Sequence, residues 1–194
     1  MCGVLCMLNF SSCVGSKNIS KEHQTQLSSV VDTLLFSEGR NVYIQNKGGE
    51  YQSTFYLVRH AEKEKDGSRN PSLTATGKER AQQLANILTK INISNVYATD
   101  FNRTQQTANP TAQSKGLSVE KYNPSDANLL ANELIQNHKN QNVLIVGHSN
   151  STPTLINALA NSDELAKIDE SDYGNFYVVQ IRSRGDVVVQ SFRF

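Results

Sequence analysis

Four side chains in this 194-residue chain have chemistry that fits together: Arg59, the adjacent His60, Arg103 and His148. A guanidinium is a permanent cation whose planar fork matches two oxygens of a phosphate or carboxylate. A neutral imidazole is a nucleophile near neutral pH. Each group follows an apolar run. Phe55-Tyr56-Leu57-Val58 precedes Arg59-His60, Val96-Tyr97-Ala98 precedes the segment holding Arg103, and Val143-Leu144-Ile145-Val146 precedes Gly147-His148. Alone, Arg59-His60 reads equally well as a strand end with a solvated arginine and a half-buried histidine. Recurrence at three strand ends favours an anion pocket with a nucleophile in it. Gly147 lets backbone approach a ligand closely, and a helix after Ser149 turns its first amides toward the same place. No comparable cluster of carboxylates or thiols is present to hold a metal, so neither a metal nor another cofactor is expected.

The elements that must position these groups follow from periodicity. The uninterrupted apolar run at 55–58 predicts a strand buried on both faces, as in a parallel sheet. Residues 63–71 are charged and turn-rich, a loop over the strand end. A helix follows, with Thr76 and Glu79 as a capping box and Ala81, Leu84, Ala85 and Leu88 as its buried stripe. The strand at 96–98 leads into a helix capped by Asp100, which puts Arg103 in the first turn; Pro110 is expected to kink or end that helix. Residues 117–119 suggest a strand, and 125–138 a helix with Leu129, Leu130, Leu134 and Ile135 inward. The strand at 143–146 precedes a helix with Pro153 near its start. Runs at 177–182 and 187–192, flanking Ser183-Arg184-Gly185-Asp186, predict a closing hairpin. The alternation implies an α/β fold: a three-layer α/β/α sandwich on a mainly parallel sheet with an antiparallel edge. Right-handed crossovers align the three strand ends along one side of that sheet.

Upstream, residues 27–36 carry apolar residues at helical spacing, and 42–45 with 50–54 flank Gly48-Gly49 as a hairpin. The chain divides at about residue 26. Residues 27–194 read as one domain with its motif core at 54–180, and 1–26 as a separate N-terminus. The three cysteines, Cys2, Cys6 and Cys13, all lie in that N-terminus, which argues against a disulfide framework or zinc site in the body. Phe10-Ser11-Ser12-Cys13 ends an apolar stretch and resembles a bacterial lipobox, with 14–26 as a polar tether to a lipidated Cys13. No Lys or Arg precedes the apolar run, a departure from a signal peptide. The alternative is a frayed N-terminus on a cytoplasmic protein. Nineteen Lys+Arg against eighteen Asp+Glu leave no strongly basic surface for nucleic acid. No apolar run approaches the ~20 residues of a spanning helix.

Four ordered blocks carry a resemblance: Leu57-Val58-Arg59-His60-Ala61-Glu62, Leu73-Thr74-Ala75-Thr76-Gly77, 99–108, and Val146-Gly147-His148-Ser149. Together they resemble the histidine phosphatase superfamily, also called phosphoglycerate mutase-like. Ala61 stands where many members have glycine, which looks like the smaller phosphohistidine phosphatases. The resemblance implies that His60 is the nucleophile, forming a phosphohistidine, and that Arg59, Arg103 and His148 bind the phosphoryl oxygens.

The general acid is less well marked. Counting from the 117–119 strand, Asp126 falls where mutase-like members have an acid; it reads equally as an acidic residue at a helix N-terminus. Glu62 is its rival, or else a surface carboxylate on a charged loop. Asn150 extends Gly-His-Ser and either contacts substrate or is exposed before a helix. The resemblance implies hydrolysis of a phosphomonoester or phosphohistidine, on a phosphorylated small molecule or a phosphoprotein. The alternatives are mutase-type phosphoryl transfer and an anchored module that binds phosphorylated ligands without turnover. With Cys13 lipidated, the domain would sit outside the cytoplasm on a membrane; otherwise it is cytoplasmic.

Overall fold

The computed structural model describes residues 53–183 and 186–194, together with short upstream strands. These are β1 (Ile19–Ser20), β2 (Ser29–Val31), β3 (Leu34–Ser37) and β4 (Arg40–Tyr43). The body follows as β5 (Ser53–Arg59), α1 (Ala75–Ile87), β6 (Ile93–Thr99), α2 (Asn102–Ser114), β7 (Val119–Tyr122), α3 (Ala127–Asn137), β8 (Gln141–Gly147), α4 (Ser151–Ala160), β9 (Asn175–Ser183) and β10 (Asp186–Arg193).

The main sheet has the order β1-β10-β9-β5-β8-β6-β7. Strands β5, β8, β6 and β7 are parallel, while β9 runs antiparallel to β5 and β10 antiparallel to β9. The expected mainly parallel sheet with an antiparallel edge is what forms. The two faces follow from the period of the central strand. Tyr56 and Val58 point to one side, into a core shared with Leu84 and Ile87 of α1, Leu88 just after it, and Ala108 and Ala112 of α2. Phe55 and Leu57 point to the other, against Ala131 and Leu134 of α3 and Leu155, Ile156 and Leu159 of α4. Hence β5 needs apolar residues at consecutive positions, and hence the three layers.

The chain runs outward from β5 through α1 and α2 on one face, then returns through α3 to insert β8 between β5 and β6. That reversal makes the carboxyl ends of β5, β8 and β6 a switch point, where such sheets bind ligands. Register brings the ends level. Arg59 lies opposite Gly147 across β5 and β8, and Ala98 opposite Val146 across β6 and β8.

Several local expectations are corrected. The N-cap of α1 is Thr74, whose hydroxyl accepts from Gly77 N at 3.0 Å, rather than Thr76 with Glu79. The reason is tertiary: Thr74 N donates to Glu62 O at 3.0 Å, so the loop enters the helix two residues early. Phe101 rather than Asp100 occupies the N-cap position of α2; Asp100 pairs with Lys121 at 2.8 Å. Helix α2 runs on through Pro110 to Ser114, with Thr107, Ala108, Thr111 and Ala112 buried around it. Packing on both sides of the proline outweighs its missing N–H. Leu129 is 56% exposed rather than inward. Upstream, 29–31 and 34–37 are strands of a three-stranded antiparallel sheet, not a helix. Val30 and Val31 are β-branched and suit a strand despite the helical spacing of apolar residues. Val42 belongs to β4 and pairs with Leu35, while the hairpin expected across Gly48-Gly49 lies outside the described residues. Ser53 and Thr54 open β5, and residues 44–52 lie outside the described residues. In the expected tether, Ile19 and Ser20 pair with Val189 and Gln190 of β10. Cys13 and the lipobox-like stretch lie outside the described residues.

Candidate active site

His60 is 3% exposed at the end of β5, and its backbone N donates to Gly147 O at 2.9 Å. Its Nδ1 lies 2.8 Å from Ala61 O. A carbonyl oxygen only accepts, so Nδ1 carries the hydrogen and the lone pair is on Nε2. Burial, followed by the charges of Arg59, Arg103 and His148, depresses the His60 pKa to about 3, against the Ala61 contact that raises it. The ring is therefore neutral at any ordinary pH, as a nucleophile requires.

His148 stands beside it, with ring centres 5.4 Å apart at 69°. Its proton placement follows from a short chain of bonds. The Thr104 hydroxyl donates to the carbonyls of Thr99 or Phe101, each at 2.8 Å. The Thr99 hydroxyl, 3.0 Å from Thr104 Oγ1, is then the donor in that pair and is left to accept from His148 Nε2 at 2.8 Å. His148 Nδ1 is free to accept, and Arg103 Nη2 lies 3.5 Å from it. Burial first, then Arg103 and Arg59, lower the His148 pKa to about 4.

Each arginine is stacked on an aromatic ring that also touches a histidine. Arg59 lies 4.2 Å above the Tyr173 ring, which is 6.0 Å from His60. Arg103 lies 4.4 Å above Phe101, which is 5.1 Å from His148. Such stacking holds a guanidinium flat without using its N–H groups. Arg59 is 1% exposed. Its Nη1 donates to the carbonyls of Asp169 and Asp172 at 2.8 and 2.9 Å, and its Nη2 to Glu170 Oε2 at 2.8 Å. Arg59 Nε and Arg103 Nε are buried without a hydrogen-bond partner among the described residues. Two orphaned cationic donors beside two neutral imidazoles fit an anion.

The other motif residues act as joinery. Thr107 takes the Ala61 N–H at 3.0 Å and donates to Arg103 O at 2.7 Å, tying the first and third blocks together. Gln106 Oε1 accepts from Leu73 N at 2.8 Å, tying the second to the third. Gly77 packs so closely that a Cβ there would lie 2.2 Å from Glu62 O.

Arg59, His60, Arg103 and His148 are thus brought together. The candidate acids are placed elsewhere. Glu62 is gripped by Arg80 through Nε at 3.0 and 2.9 Å and Nη2 at 2.7 Å. Burial raises its pKa, but the Arg80 contacts prevail and the net shift is downward, away from proton donation. The Asp126 carboxylate caps α3, accepting from Leu129 N at 3.0 Å. It lines a cavity of about 320 Å³ walled by Tyr97, Tyr122 and His138, which includes none of the four site residues. Asn150 occupies the N-cap position of α4, exposed and without a side-chain capping bond. His138 is 7% exposed and bridges Gln141 Oε1 and Tyr97 OH, away from the four site residues. The contributors that sequence reasoning missed are Thr99, Phe101, Glu170 and Tyr173. The last two lie in an acidic turn, 169–174, whose aromatic residue just before β9 was the only hint of a role.

Residues 55–123 match the histidine phosphatase superfamily (branch 1). A stretch of 70 residues is 37% identical to the probable phosphoglycerate mutase GpmB of Enterobacter sp. (strain 638), covering 33% of each chain. The chain thus spans about a third of that curated relative's length. Among solved structures, the protein histidine phosphatase SixA complexed with tungstate superposes with a TM-score of 0.62 at 19% identity, covering 72% of this chain and 96% of that one. A mycobacterial glucosyl-3-phosphoglycerate phosphatase complexed with VO3 gives 0.56 at 15% identity, covering 71% and 96%.

Proposed function

We propose that this chain, which belongs to the histidine phosphatase superfamily, is a metal-independent phosphatase working through a phosphohistidine on His60. The observation that carries the reading is the pairing of a neutral His60, its Nε2 lone pair free, with buried Arg59 and half-buried Arg103, each of which keeps a buried, unpartnered Nε–H. His60 Nε2 attacks phosphorus, and the bond from phosphorus to the leaving group breaks with its electron pair on the leaving atom. Arg59 and Arg103 neutralise charge on the equatorial oxygens, which is most of what a loose phosphoryl-transfer transition state requires. His148 completes the pocket beside Arg103. Water then attacks phosphorus, the N–P bond breaks, and His60 and inorganic phosphate are released. Because Glu62 and Asp126 are engaged elsewhere, the leaving group takes its proton from solvent or carries a weak bond to phosphorus already. The substrate is a phosphorylated small molecule or a phosphoprotein. Phosphoryl transfer of the mutase type, suggested by the curated relative, is the second reading.

The test is a rapid-quench experiment with a ³²P-labelled acyl phosphate or phosphoramidate donor in chelator-treated buffer. Acid-labile, base-stable label on the protein, lost in His60→Ala while that variant stays folded, is the expected result. Label that survives the substitution, or turnover restored only by an added divalent metal, overturns the proposal.

A further inference from the structure

Arg59 has five N–H groups, and their use can be counted. Both on Nη1 go to carbonyls of the 169–172 turn, and one on Nη2 goes to Glu170. Only Nε–H and the second Nη2–H remain, and Nε is buried and unpartnered. Two donors serve one phosphoryl group and leave none for a second anion. Glu170 is held in place on three sides: its Oε2 takes Arg59, and its Oε1 takes the Ser149 hydroxyl at 2.7 Å and Lys167 at 3.0 Å. It also stands in the wall of a cavity of about 810 Å³, together with Tyr173, the ring that covers Arg59 and His60. This cavity adjoins the anion pocket. Of its other charged residues, Glu62 is neutralised by Arg80, and Lys63, Glu64 and Lys65 alternate in sign along one strip of chain.

We propose that the cavity receives the leaving group and that Glu170 is its selectivity residue, rejecting substrates with a second negative charge near the phosphoryl and admitting neutral or cationic ones. The proposal rests on the phosphatase reading for the identity of the pocket. Glu170 pairs with both Arg59 and Lys167, so it occupies the two cations that a second anion on the substrate would seek. This selectivity runs against a phosphoglycerate substrate, whose own carboxylate lies a few bonds from phosphorus.

Phosphoethanolamine and 3-phosphoglycerate are suitable probes, being alike in size and opposite in leaving-group charge. Their kcat/KM ratio is measured for the intact chain, and their calorimetric affinities in a His60→Ala background, where turnover cannot interfere. The expected result is a preference of at least ~10-fold for phosphoethanolamine that falls to within ~3-fold in Glu170→Gln, the order expected from removing one charge a few ångströms away near a protein surface. Glu170→Asp, which keeps the charge, should retain the preference, whereas a merely structural role would damage both variants alike. An unchanged ratio in Glu170→Gln, or an initial preference for 3-phosphoglycerate, overturns the proposal. Absence of turnover with the affinity ratio intact defeats the phosphatase reading alone; turnover with an unchanged ratio defeats this one alone.

Discussion

Two neutral histidines between Arg59 and Arg103 make the site resist protonation. His60 titrates near 3 and His148 near 4 in the folded protein, both depressed first by burial and then by the neighbouring guanidiniums. In the unfolded chain both return to about 6.5. A histidine whose folded pKa lies below its unfolded one contributes fully to stability above pH 6.5, and that contribution is lost as pH falls from 6.5 toward the folded value. Between pH 6 and 5 the unfolded state therefore binds more protons, and each such histidine lowers stability by up to about 1.4 kcal/mol per pH unit. This window lies above the range where the lowered carboxylates, such as Glu62 and Glu170, add the same trend. Urea unfolding in phosphate-free buffer at pH 7.5, 6 and 5 should show this decline, with a shallower one in His60→Ala. Equal slopes in the two proteins would mean that His60 is not held neutral.

At the scale of elements, the second motif block is a splice between the end of β5 and the start of α1. Thr74 caps the helix and anchors to Glu62 O, and Gly77 brings the first turn against the same carbonyl. Glycine in a helix costs about 1 kcal/mol relative to alanine, so Gly77→Ala would stabilise a free helix. Here the new Cβ would lie 2.2 Å from Glu62 O and 3.1 Å from Glu62 C and N. These are backbone atoms that can move only by shifting the 60–62 segment. Gly77→Ala should therefore lose about 2 kcal/mol or more despite its better propensity, and lose phosphoenzyme formation with it. A variant with unchanged or raised Tm would show that α1 and the strand end are not in contact through this glycine.

At the scale of the molecule, the described body gathers Arg59, His60, Arg103 and His148 at one edge of one sheet. We propose that Cys13 is lipidated and that the domain is held outside the cytoplasm on a membrane, from the apolar stretch ending in Phe10-Ser11-Ser12-Cys13. Ile19 and Ser20, six and seven positions after Cys13, pair with Val189 and Gln190 of β10. Fractionation of cells expressing the native chain and Cys13→Ser should put the first in the membrane fraction and the second outside it. Both chains in the cytoplasm, with Met1 retained by mass, would remove the anchor and restore the cytoplasmic alternative.

Much of this architecture was legible in the residues themselves. Uninterrupted apolar runs at 55–58 and 143–146 mark strands covered on both faces, because only such strands need apolar residues at odd and even positions alike. Their alternation with helices then implies a switch point, and Arg59, His60, Arg103 and His148 fall on its edge by order alone. What sequence could not give was partnership. Thr74 rather than Thr76 caps α1 because Glu62 O, twelve residues upstream, receives the Thr74 amide. Glu62 reads as an available acid in the sequence, but Arg80 lies across it, and α2 passes Pro110 because Thr107, Ala108, Thr111 and Ala112 are packed on either side. Glu170 and Tyr173 meet Arg59 across more than a hundred residues of chain. Periodicity records which face of an element is buried, a property of neighbours in sequence. Which charge meets which, and which histidine is kept neutral, depends on distances that exist only once the sheet has closed its register.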